Sequence, residues 1–385
     1  MNRKALLVIG PEPPPATGME IATRALIAEL RRAGIRYARV DTADPSDQLG
    51  NRGSWTAHNM LLAFLHIFSV IRKSFRRDIG AVYIPIAQEF PGLIRDIAFL
   101  LIARAARLPV IVHLHGGKFG QFYASQRKSI RLLLRLTVGR AAVGIVLTEN
   151  LRPALECVIP PQRVSVVSNG IDVPNAARRR VGDDDTICVL FLSSLYRWKG
   201  PLLFIEAFAQ AHGECSSLRA TIAGSWPSDE IRDEALRLAR DLKIQTDISF
   251  PGSVVGKVKR ALFESADIFC FASLVPEGQP LVILEAMAAG LPVVAPAWPG
   301  IADTVVDGET GVLVREGSFE ALADGIVYLA RNADRRLRLG KAARLRYERC
   351  FTQDAFGDRM IELIRPFIER DGEPVGPSEA QRTAR

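Results

Sequence analysis

Two glutamates eight residues apart stand in the most informative stretch of the sequence. Glu277 and Glu285 lie in the run Val-Pro-Glu-Gly-Gln-Pro-Leu-Val-Ile-Leu-Glu-Ala-Met-Ala-Ala-Gly-Leu-Pro-Val-Val, which covers residues 275–294. The pattern predicts the end of a strand, a loop and then a helix over residues 280–289. Glu277 would precede this helix and Glu285 would lie more than one turn inside it. One carboxylate could therefore face a sugar beside a phosphate, while the other reaches a more distant hydroxyl such as one on a ribose.

The start of this predicted helix offers a site for an anion. Pro280 suits the first helical turn, and Gly278 precedes it by two residues. The first N–H groups of the helix, those of Gln279, Leu281 and Val282, would have no partner within it, and the helix dipole favours negative charge there. The stretch therefore predicts a diphosphate site.

Two cations follow another apolar run. Arg197 and Lys199 come after the predicted strand Ile187–Leu192, and Lys199 stands at the start of a helix predicted toward Phe208. An ammonium group at this position can neutralise a diphosphate as it leaves. For both cations the structural alternative is an ordinary exposed surface pair.

Two histidines end a strand in the first half of the chain. The run Val-Ile-Val-His-Leu-His-Gly-Gly begins at Val110. His113 and His115 share one face of this strand, because residues two apart point the same way, and His115 lies nearer the strand end. Neutral packing is the structural alternative for such a pair.

Short apolar runs alternate with amphipathic helical patterns, which is typical of βαβ units and mostly parallel sheets. The predicted strands of a first series are Lys4–Ile9, Ile35–Asp41, Ala81–Ile86, Val110–Leu114, Val143–Leu147 and Val164–Val167. Those of a second series are Ile187–Leu192, Arg219–Ala223, Asp247–Phe250, Ile268–Phe271, Pro292–Ala295 and Val312–Val314. Helices are also predicted at Asp334–Glu348 and Gln353–Glu369.

The two series predict an α/β protein of two doubly wound, Rossmann-like domains. We expect the first domain over residues 1–175, the second over 176–352, a closing helix over 353–370 and a disordered tail over 371–385. The polar segment from Val173 to Thr186 marks the boundary, and its Asp183–Asp185 run reads as solvated linker rather than as a metal site. Ligands of open α/β sheets bind outside the carboxyl ends of the strands, so we expect one cleft shared by both domains.

Composition bounds the class of protein. The chain has 385 residues, of which 48% are apolar and 24% charged, as expected of globular domains. Five scattered cysteines favour a reducing cytoplasm. The run Ala5–Ile9 is too short for a signal peptide, and the stretches Met60–Ile71 and Ile97–Val112 are too short or too interrupted to span a bilayer. The formal charge of +8 favours an anionic partner, which leaves open nucleic acid, nucleotide phosphate or an acidic lipid surface.

Basic residues are concentrated on predicted helices of the first domain that also carry large apolar side chains. This pattern fits a peripheral membrane face and equally fits a solvated helical exterior. The residues are Arg95, Arg104, Arg107, Arg127, Lys128, Arg131, Arg135 and Arg140.

The motif Pro-Glu-Gly-x-Pro-Leu-x-x-x-Glu-Ala-Met-Ala-x-Gly-x-Pro-Val, which begins at Pro276, resembles the donor-site motif of glycosyltransferase family four. Further segments resemble other parts of that family over nearly the whole chain, and the resemblance implies the GT-B fold with a last helix that crosses back to the N-terminal domain. These segments are Ser168–Asp172, Phe191–Gly200, Ala223–Gly224, Ala266–Asp267 and Asp307–Gly311.

The resemblance implies a retaining, metal-independent hexosyltransferase. The donor would be a nucleotide sugar, with UDP- and GDP-sugars as leading candidates, and the acceptor a lipid-linked or polysaccharide-precursor glycan. No cofactor is implied. The segment Phe90–Asp96 looks like transferases of exopolysaccharide or capsule assembly. The alternatives are a nucleotide-sugar epimerase or hydrolase on the same fold, or a noncatalytic subunit that binds nucleotide sugars or an anionic surface; no recognisable nucleic-acid module is present.

The family pattern also implies residue roles. Glu277 would orient or stabilise the sugar, Glu285 would hold the ribose, and Lys199 would balance the charge of the leaving group. His115 would contact the transferred sugar, and Gly18 would allow the backbone to approach the diphosphate or the acceptor.

The sequence departs from the family pattern at Ser194. The family commonly has an arginine at this position, and its absence removes one phosphate contact. Arg197, three residues later, is expected to take over that contact.

Overall fold

The computed structural model describes residues 4–13, 18–43, 57–88, 90–173 and 186–369. The chain divides into two units, one formed by residues 1–168 with 354–385 and the other by residues 169–353. Most of the predicted linker, including Asp183–Asp185, and the predicted tail over 371–385 lie outside the described residues, as does the loop over 14–17.

The first unit contains one parallel sheet in the order β2-β1-β3-β4-β5-β6. Its strands are β1 (Ala5–Gly10), β2 (Tyr37–Asp41), β3 (Ile79–Pro85), β4 (Val110–Leu114), β5 (Val143–Val146) and β6 (Val164–Val166). Its helices are α1 (Gly18–Arg32), α2 (Ala57–Ser74), α3 (Phe90–Ala105), α4 (Phe119–Ser125), α5 (Lys128–Leu136) and α6 (Arg152–Glu156).

The second unit contains a parallel sheet in the order β12-β11-β10-β7-β8-β9. Its strands are β7 (Ile187–Leu192), β8 (Leu218–Ala223), β9 (Ile248–Gly252), β10 (Ile268–Cys270), β11 (Val293–Pro296) and β12 (Gly311–Val314). Its helices are α7 (Pro201–Glu214), α8 (Asp229–Asp241), α9 (Gly256–Ser265), α10 (Leu281–Ala288), α11 (Pro299–Ala302), α12 (Phe319–Ala330) and α13 (Ala333–Cys350). The predicted class, two doubly wound parallel α/β domains, is therefore confirmed.

The strands form where the sequence supplies continuous apolar runs, because helices cover both faces of each sheet. Every residue of β1, β3 and β4 is buried. Side-chain caps begin three helices of the second unit: Ser228, Ser318 and Asn332 each accept a hydrogen bond from the N–H three residues later. Such caps satisfy N–H groups that the helix itself leaves without a partner.

The last helix, α14 (Gln353–Ile368), belongs almost entirely to the first unit. Its apolar residues Phe356, Met360 and Ile364 are buried in one cluster with Leu6 and Val8 of β1. At the last residue of the helix, the carbonyl of Ile368 accepts a hydrogen bond of 3.0 Å from the N–H of Lys4.

The chain enters and leaves the second unit at two adjacent segments. Ile171 donates its N–H to the carbonyl of Phe351 at 3.1 Å, and its own carbonyl accepts from the N–H of Gln353 at 3.1 Å. Asn169 also belongs to this unit, since its N–H donates to Gln279 Oε1 at 2.7 Å. These contacts place the unit boundary after Ser168, seven residues before the predicted position.

No helix within the described ranges is both long enough and apolar enough to cross a membrane.

Candidate functional site

The topology of the second sheet brings two predicted site loops to one place. Strands β7 and β10 are neighbours, and the chain winds away from them in opposite directions. In open α/β sheets such a switch point, at the carboxyl ends of the strands, is where ligands bind. Lys199 follows β7 and Glu277 follows β10, so both residues come from loops at this edge.

Lys199 and Glu277 form an ion pair. The distance from Lys199 Nζ to Glu277 Oε1 is 2.6 Å, and the two side chains are only 15% and 16% exposed. The ammonium also lies 4.5 Å from the ring centre of Trp198, where the face of the ring attracts a cation. Lys199 is the last residue of a short 3-10 turn, Arg197–Lys199, and α7 begins two residues later than the sequence predicted.

The Glu277 carboxylate is held from a second side by Ser273. The Ser273 hydroxyl donates a hydrogen bond to Glu277 Oε1 at 2.9 Å, and the Ser273 carbonyl accepts one from Trp298 Nε1 at 2.8 Å. Ser273 is 1% exposed. The sequence reasoning missed both Ser273 and Trp298; a serine four residues before the first motif glutamate is the signal that could have identified the hydroxyl.

Two glycines allow the loops to pack closely. Gly200 has a φ of +76°, and a Cβ there would lie 2.0 Å from the carbonyl oxygen of Ala272. At Gly300 a Cβ would lie 1.5 Å from the carbonyl oxygen of Gly278. Backbone therefore touches backbone on both sides of the Glu277 loop, which fixes the position of the carboxylate.

The predicted anion-binding helix is α10, which begins at Leu281, with Pro280 as the residue before its first turn. The prediction that Pro280 lies in the first turn is therefore wrong by one position, and the helix ends at Ala288 rather than at Ala289. The first N–H groups of α10 have no acceptor within the helix. Glu277 and Gly278 lead directly into this helix start.

Gln279 has a structural role that the motif did not reveal. Its side chain is 5% exposed, and its amide nitrogen donates to Thr304 Oγ1 at 3.2 Å. The Asn169 side chain donates to the carbonyl of Gln279 at 3.2 Å. These bonds anchor the loop to the entering chain segment, while the N–H of Gln279 remains the group predicted to meet an anion.

Glu285 lies on α10, and its Oε1 is 2.6 Å from Lys259 Nζ of α9. The two side chains are 24% and 29% exposed. A carboxylate neutralised in this way still has free lone pairs with which to accept hydroxyl protons. The sequence did not identify Lys259.

Arg197 points to a different partner from the one expected. Its guanidinium donates to Glu234 Oε1 at 2.9 Å and lies 3.9 Å from Glu230 Oε1, both on α8. These carboxylates raise the pKa of Arg197. A contact with phosphate would require the guanidinium to leave Glu234.

In the first unit, the rings of His113 and His115 lie in contact at the end of β4, with centres 3.9 Å apart and planes tilted by 34°. His113 is fully buried, and its Nδ1 shares a hydrogen bond of 2.8 Å with the hydroxyl of Tyr83. Burial lowers the pKa of His115 to about 4, so its imidazole is neutral at pH 7. Among the described residues nothing hydrogen-bonds to the buried Nε2 atom of His115. This neutral ring can donate or accept one further hydrogen bond.

Gly18 is the first residue of α1, and a Cβ there would meet no atom within 4 Å. Packing therefore does not require a glycine at this position. The preceding loop residues lie outside the described ranges.

Some of the basic side chains on the predicted first-domain helices bond to other side chains of the protein. Arg95 pairs with Asp96 at 3.0 Å, and Arg135 donates to the hydroxyl of Tyr123 at 2.8 Å. Within the described ranges no group of three His, Cys, Asp or Glu side chains could hold a metal ion.

Residues 174–346 match the family described as Glycosyl transferases group 1. This segment contains Lys199, Glu277 and Glu285. The matched residues lie within the second unit.

Individual curated proteins are also similar to this chain. A D-inositol 3-phosphate glycosyltransferase of Corynebacterium aurimucosum is 32% identical over 197 residues, which cover 48% of this chain and 47% of that relative. The putative colanic acid biosynthesis glycosyltransferase WcaL of Salmonella typhimurium is 27% identical over 213 residues, which cover 54% of this chain and 52% of that relative. The chain thus spans about half the length of these curated relatives.

A crystal structure of HepE from Anabaena in complex with UDP and glucose resembles the chain with a TM-score of 0.73 at 20% identity. The similarity covers 94% of this chain and 100% of HepE. Together with the two six-stranded parallel sheets, it identifies the architecture. The fold is GT-B.

Proposed function

We propose that the chain is a retaining, metal-independent hexosyltransferase that uses a nucleotide sugar. The observation that carries the proposal is the Lys199–Glu277 ion pair, set at the switch point of the second sheet directly before the start of α10. Such a site offers a cation and helix N–H groups to a diphosphate and a carboxylate to the sugar attached to it.

In the proposed reaction the bond between the sugar C1 and the phosphate oxygen breaks, and the sugar becomes oxocarbenium-like. Lys199 and the α10 N-terminus stabilise the negative charge of the departing diphosphate. The acceptor hydroxyl oxygen bonds to C1 on the face that the diphosphate leaves, and its proton passes to a diphosphate oxygen. Glu277 stabilises the sugar, Glu285 accepts hydrogen bonds from the ribose, and neutral His115 hydrogen-bonds to the transferred sugar.

The donor is proposed to be a UDP- or GDP-sugar, and the acceptor a lipid-linked or polysaccharide-precursor glycan of cell-surface assembly. HepE, which binds UDP and glucose, and the colanic acid relative support these classes. We propose that the protein lies in the cytoplasm, where its five cysteine thiols would stay reduced. Peripheral contact with anionic membrane is proposed for the first unit.

A nucleotide-sugar screen tests the proposal. Purified protein is first tested for thermal stabilisation by UDP, GDP and their sugars, since a ligand at 100 times its Kd stabilises by about 2.7 kcal/mol. Stabilising donors are then incubated with and without glycan acceptors, and products are analysed by mass spectrometry and by NMR of the anomeric proton. We expect acceptor-dependent transfer with retained configuration.

Donor conversion that needs no acceptor would instead indicate an epimerase or hydrolase, and binding without conversion would indicate a noncatalytic subunit. Lys199→Met should abolish transfer. Lys257 is an exposed lysine on α9, and Lys257→Met serves as the matched control. Transfer should also persist in EDTA, because a lysine and a helix terminus balance the diphosphate charge. Loss of transfer in EDTA that manganese or magnesium restores would refute metal independence.

A further inference from the structure

Helix α2 of the first unit exposes a continuous row of large apolar side chains. Phe64 and Phe68 are 67% and 62% exposed, far more than is usual for side chains of this size. The full set on the helix is Met60, Leu61, Phe64, Leu65, Phe68 and Ile71, and Phe75 continues it just beyond the helix end.

The row lies opposite the face by which α2 packs on the sheet. Val70 is fully buried in the core of the first unit, and Ile67 packs against that core. The exposed residues recur every three or four positions and extend over about 16 Å from Met60 to Ile71. A helix that is apolar on both faces is normally covered on both faces. None of the described residues covers the outer face of α2, and we infer that a partner covers it.

Charge identifies the kind of occupant. Residues 57–77 include no aspartate or glutamate, and the helix ends in Arg72 and Lys73, followed by Arg76 and Arg77. Burial and the neighbouring arginines lower the pKa of Lys73, which reflects the positive potential at this end of the helix.

A cavity of about 650 Å³ adjoins these cations at the edge of the sheet. It is lined by Arg36, Arg39, Lys73 and Arg76, whereas Asp78 is its one acidic lining residue. Arg76 pairs with Asp78 and Arg39 pairs with Glu12, so the four cations of the cavity exceed these two carboxylates by two. A cavity of this composition fits a phosphate group.

We propose that the α2 face docks on an anionic membrane surface. The apolar row enters the boundary between headgroups and acyl chains, and the cations at the end of α2 contact lipid phosphates. An apolar row lying in the interface plane with arginine and lysine beside it is the pattern of peripheral helices. This surface deepens the peripheral contact proposed above and assigns it to α2 rather than to the partly engaged cations of α3 and α5.

Vesicle sedimentation tests this surface without any sugar transfer. The full chain is mixed with vesicles of phosphatidylcholine alone or with about 30% phosphatidylglycerol, at low and high salt. We expect binding to the anionic vesicles that weakens with salt. Phe64→Asp combined with Phe68→Asp should lower the binding constant by about tenfold or more. Because both side chains are mostly exposed, the thermal midpoint should stay near that of the parent.

Two further variants separate the contributions. Val255→Asp combined with Val258→Asp places the same change on exposed apolar residues of the second unit, 77% and 58% exposed, and should bind as the parent does. Arg72→Gln combined with Arg77→Gln should weaken binding to anionic vesicles and remove most of its dependence on salt.

Equal sedimentation of the parent and the Phe64/Phe68 double variant would overturn the proposal. So would a dimer in light scattering that this double variant converts to a monomer, because the row would then be an interface between copies. Transfer to a water-soluble acceptor should be unchanged in the variant. If the parent itself transferred no sugar, the proposed function would be contradicted, whereas the vesicle-binding result would still hold.

Discussion

In the Glu277→Gln variant, the Lys199 ammonium loses the carboxylate that neutralises it. The parent pair is joined at 2.6 Å, with side chains only 15% and 16% exposed. A bound diphosphate must share this ammonium with the carboxylate, and it also lies near the negative charge of Glu277. We therefore expect the variant to bind nucleoside diphosphates more tightly while transferring sugar more slowly.

The magnitude follows from the charged hydrogen bond. Such a bond contributes about 1.5 to 3 kcal/mol, and about 1.4 kcal/mol corresponds to a tenfold change in affinity. Affinity for UDP or GDP should therefore rise by roughly tenfold. Turnover should fall by about a hundredfold or more, as is common when a preorganised electrostatic group is lost.

The variant should also be less stable without ligand, because a partly buried ammonium is left without its carboxylate. A loss of about 1 to 3 kcal/mol is expected. Each kcal/mol lowers the thermal midpoint by about 2 to 4 °C in a domain of this size. Saturating UDP or GDP should restore much of that loss.

Calorimetric titration and thermal melting of the parent, Glu277→Gln and Glu309→Gln decide the matter. Glu309 is an exposed turn residue and serves as the matched control. A folded Glu277→Gln protein with the parent's affinity for nucleoside diphosphates would refute the reasoning, since Lys199 would then not be the group that receives the diphosphate.

Four further changes test other parts of the site. Glu285→Gln should weaken binding of nucleoside and nucleoside diphosphate by a similar factor in calorimetry, because both carry the ribose; an effect on the diphosphate alone would contradict the ribose role. Burial lowers the pKa of His115 from 6.5 to about 4, so the unfolded chain binds this proton first. Stability in urea should therefore fall as the pH drops from 6.5 toward 4, and buried His113, whose pKa is also lowered, contributes in the same direction. His115→Asn should reduce this slope; an unchanged slope would argue against a neutral buried imidazole at His115. Arg197→Ala should weaken nucleoside diphosphate binding by roughly tenfold if the guanidinium moves from Glu234 to phosphate, and parental affinity would show that it stays on α8. Gly300→Ala should lower turnover strongly, because the new methyl group displaces the Glu277 loop; parental kinetics would show that this backbone contact does not position the carboxylate.

The sheets were predictable from the sequence alone. Each of the twelve strands overlaps a predicted run, and Val110–Leu114 and Ile187–Leu192 match at both ends. Strands covered on both faces need an uninterrupted apolar run, which leaves a clear signal. The largest deviations are two residues each. β2 begins at Tyr37 rather than Ile35, and β9 ends at Gly252 rather than Phe250. β3 begins at Ile79 rather than Ala81, because Gly80 interrupts the apolar pattern without ending the strand.

The partners of the site residues could not be predicted in the same way. Lys259 and Glu234 contact predicted site residues through tertiary packing, and no local spacing marks such pairs. The unit boundary has the same origin, since Asn169 bonds to Gln279 110 residues away. The exposure of the apolar side chains on α2 could not be predicted either. An apolar helical sequence has the same pattern whether its outer face is covered or exposed.

The adjacent entry and exit segments of the second unit have a consequence for protein engineering. Ile171 bonds to Phe351 and Gln353, so the unit is a closed insertion whose two ends are already hydrogen-bonded together. A gene fragment cut after Ser168 and before Asp354 carries Lys199, Ser273, Glu277, Glu285 and Gly300 in one piece. Such a block is a defined unit for exchange between homologous scaffolds, and a chimera would test whether nucleotide preference travels with the second unit.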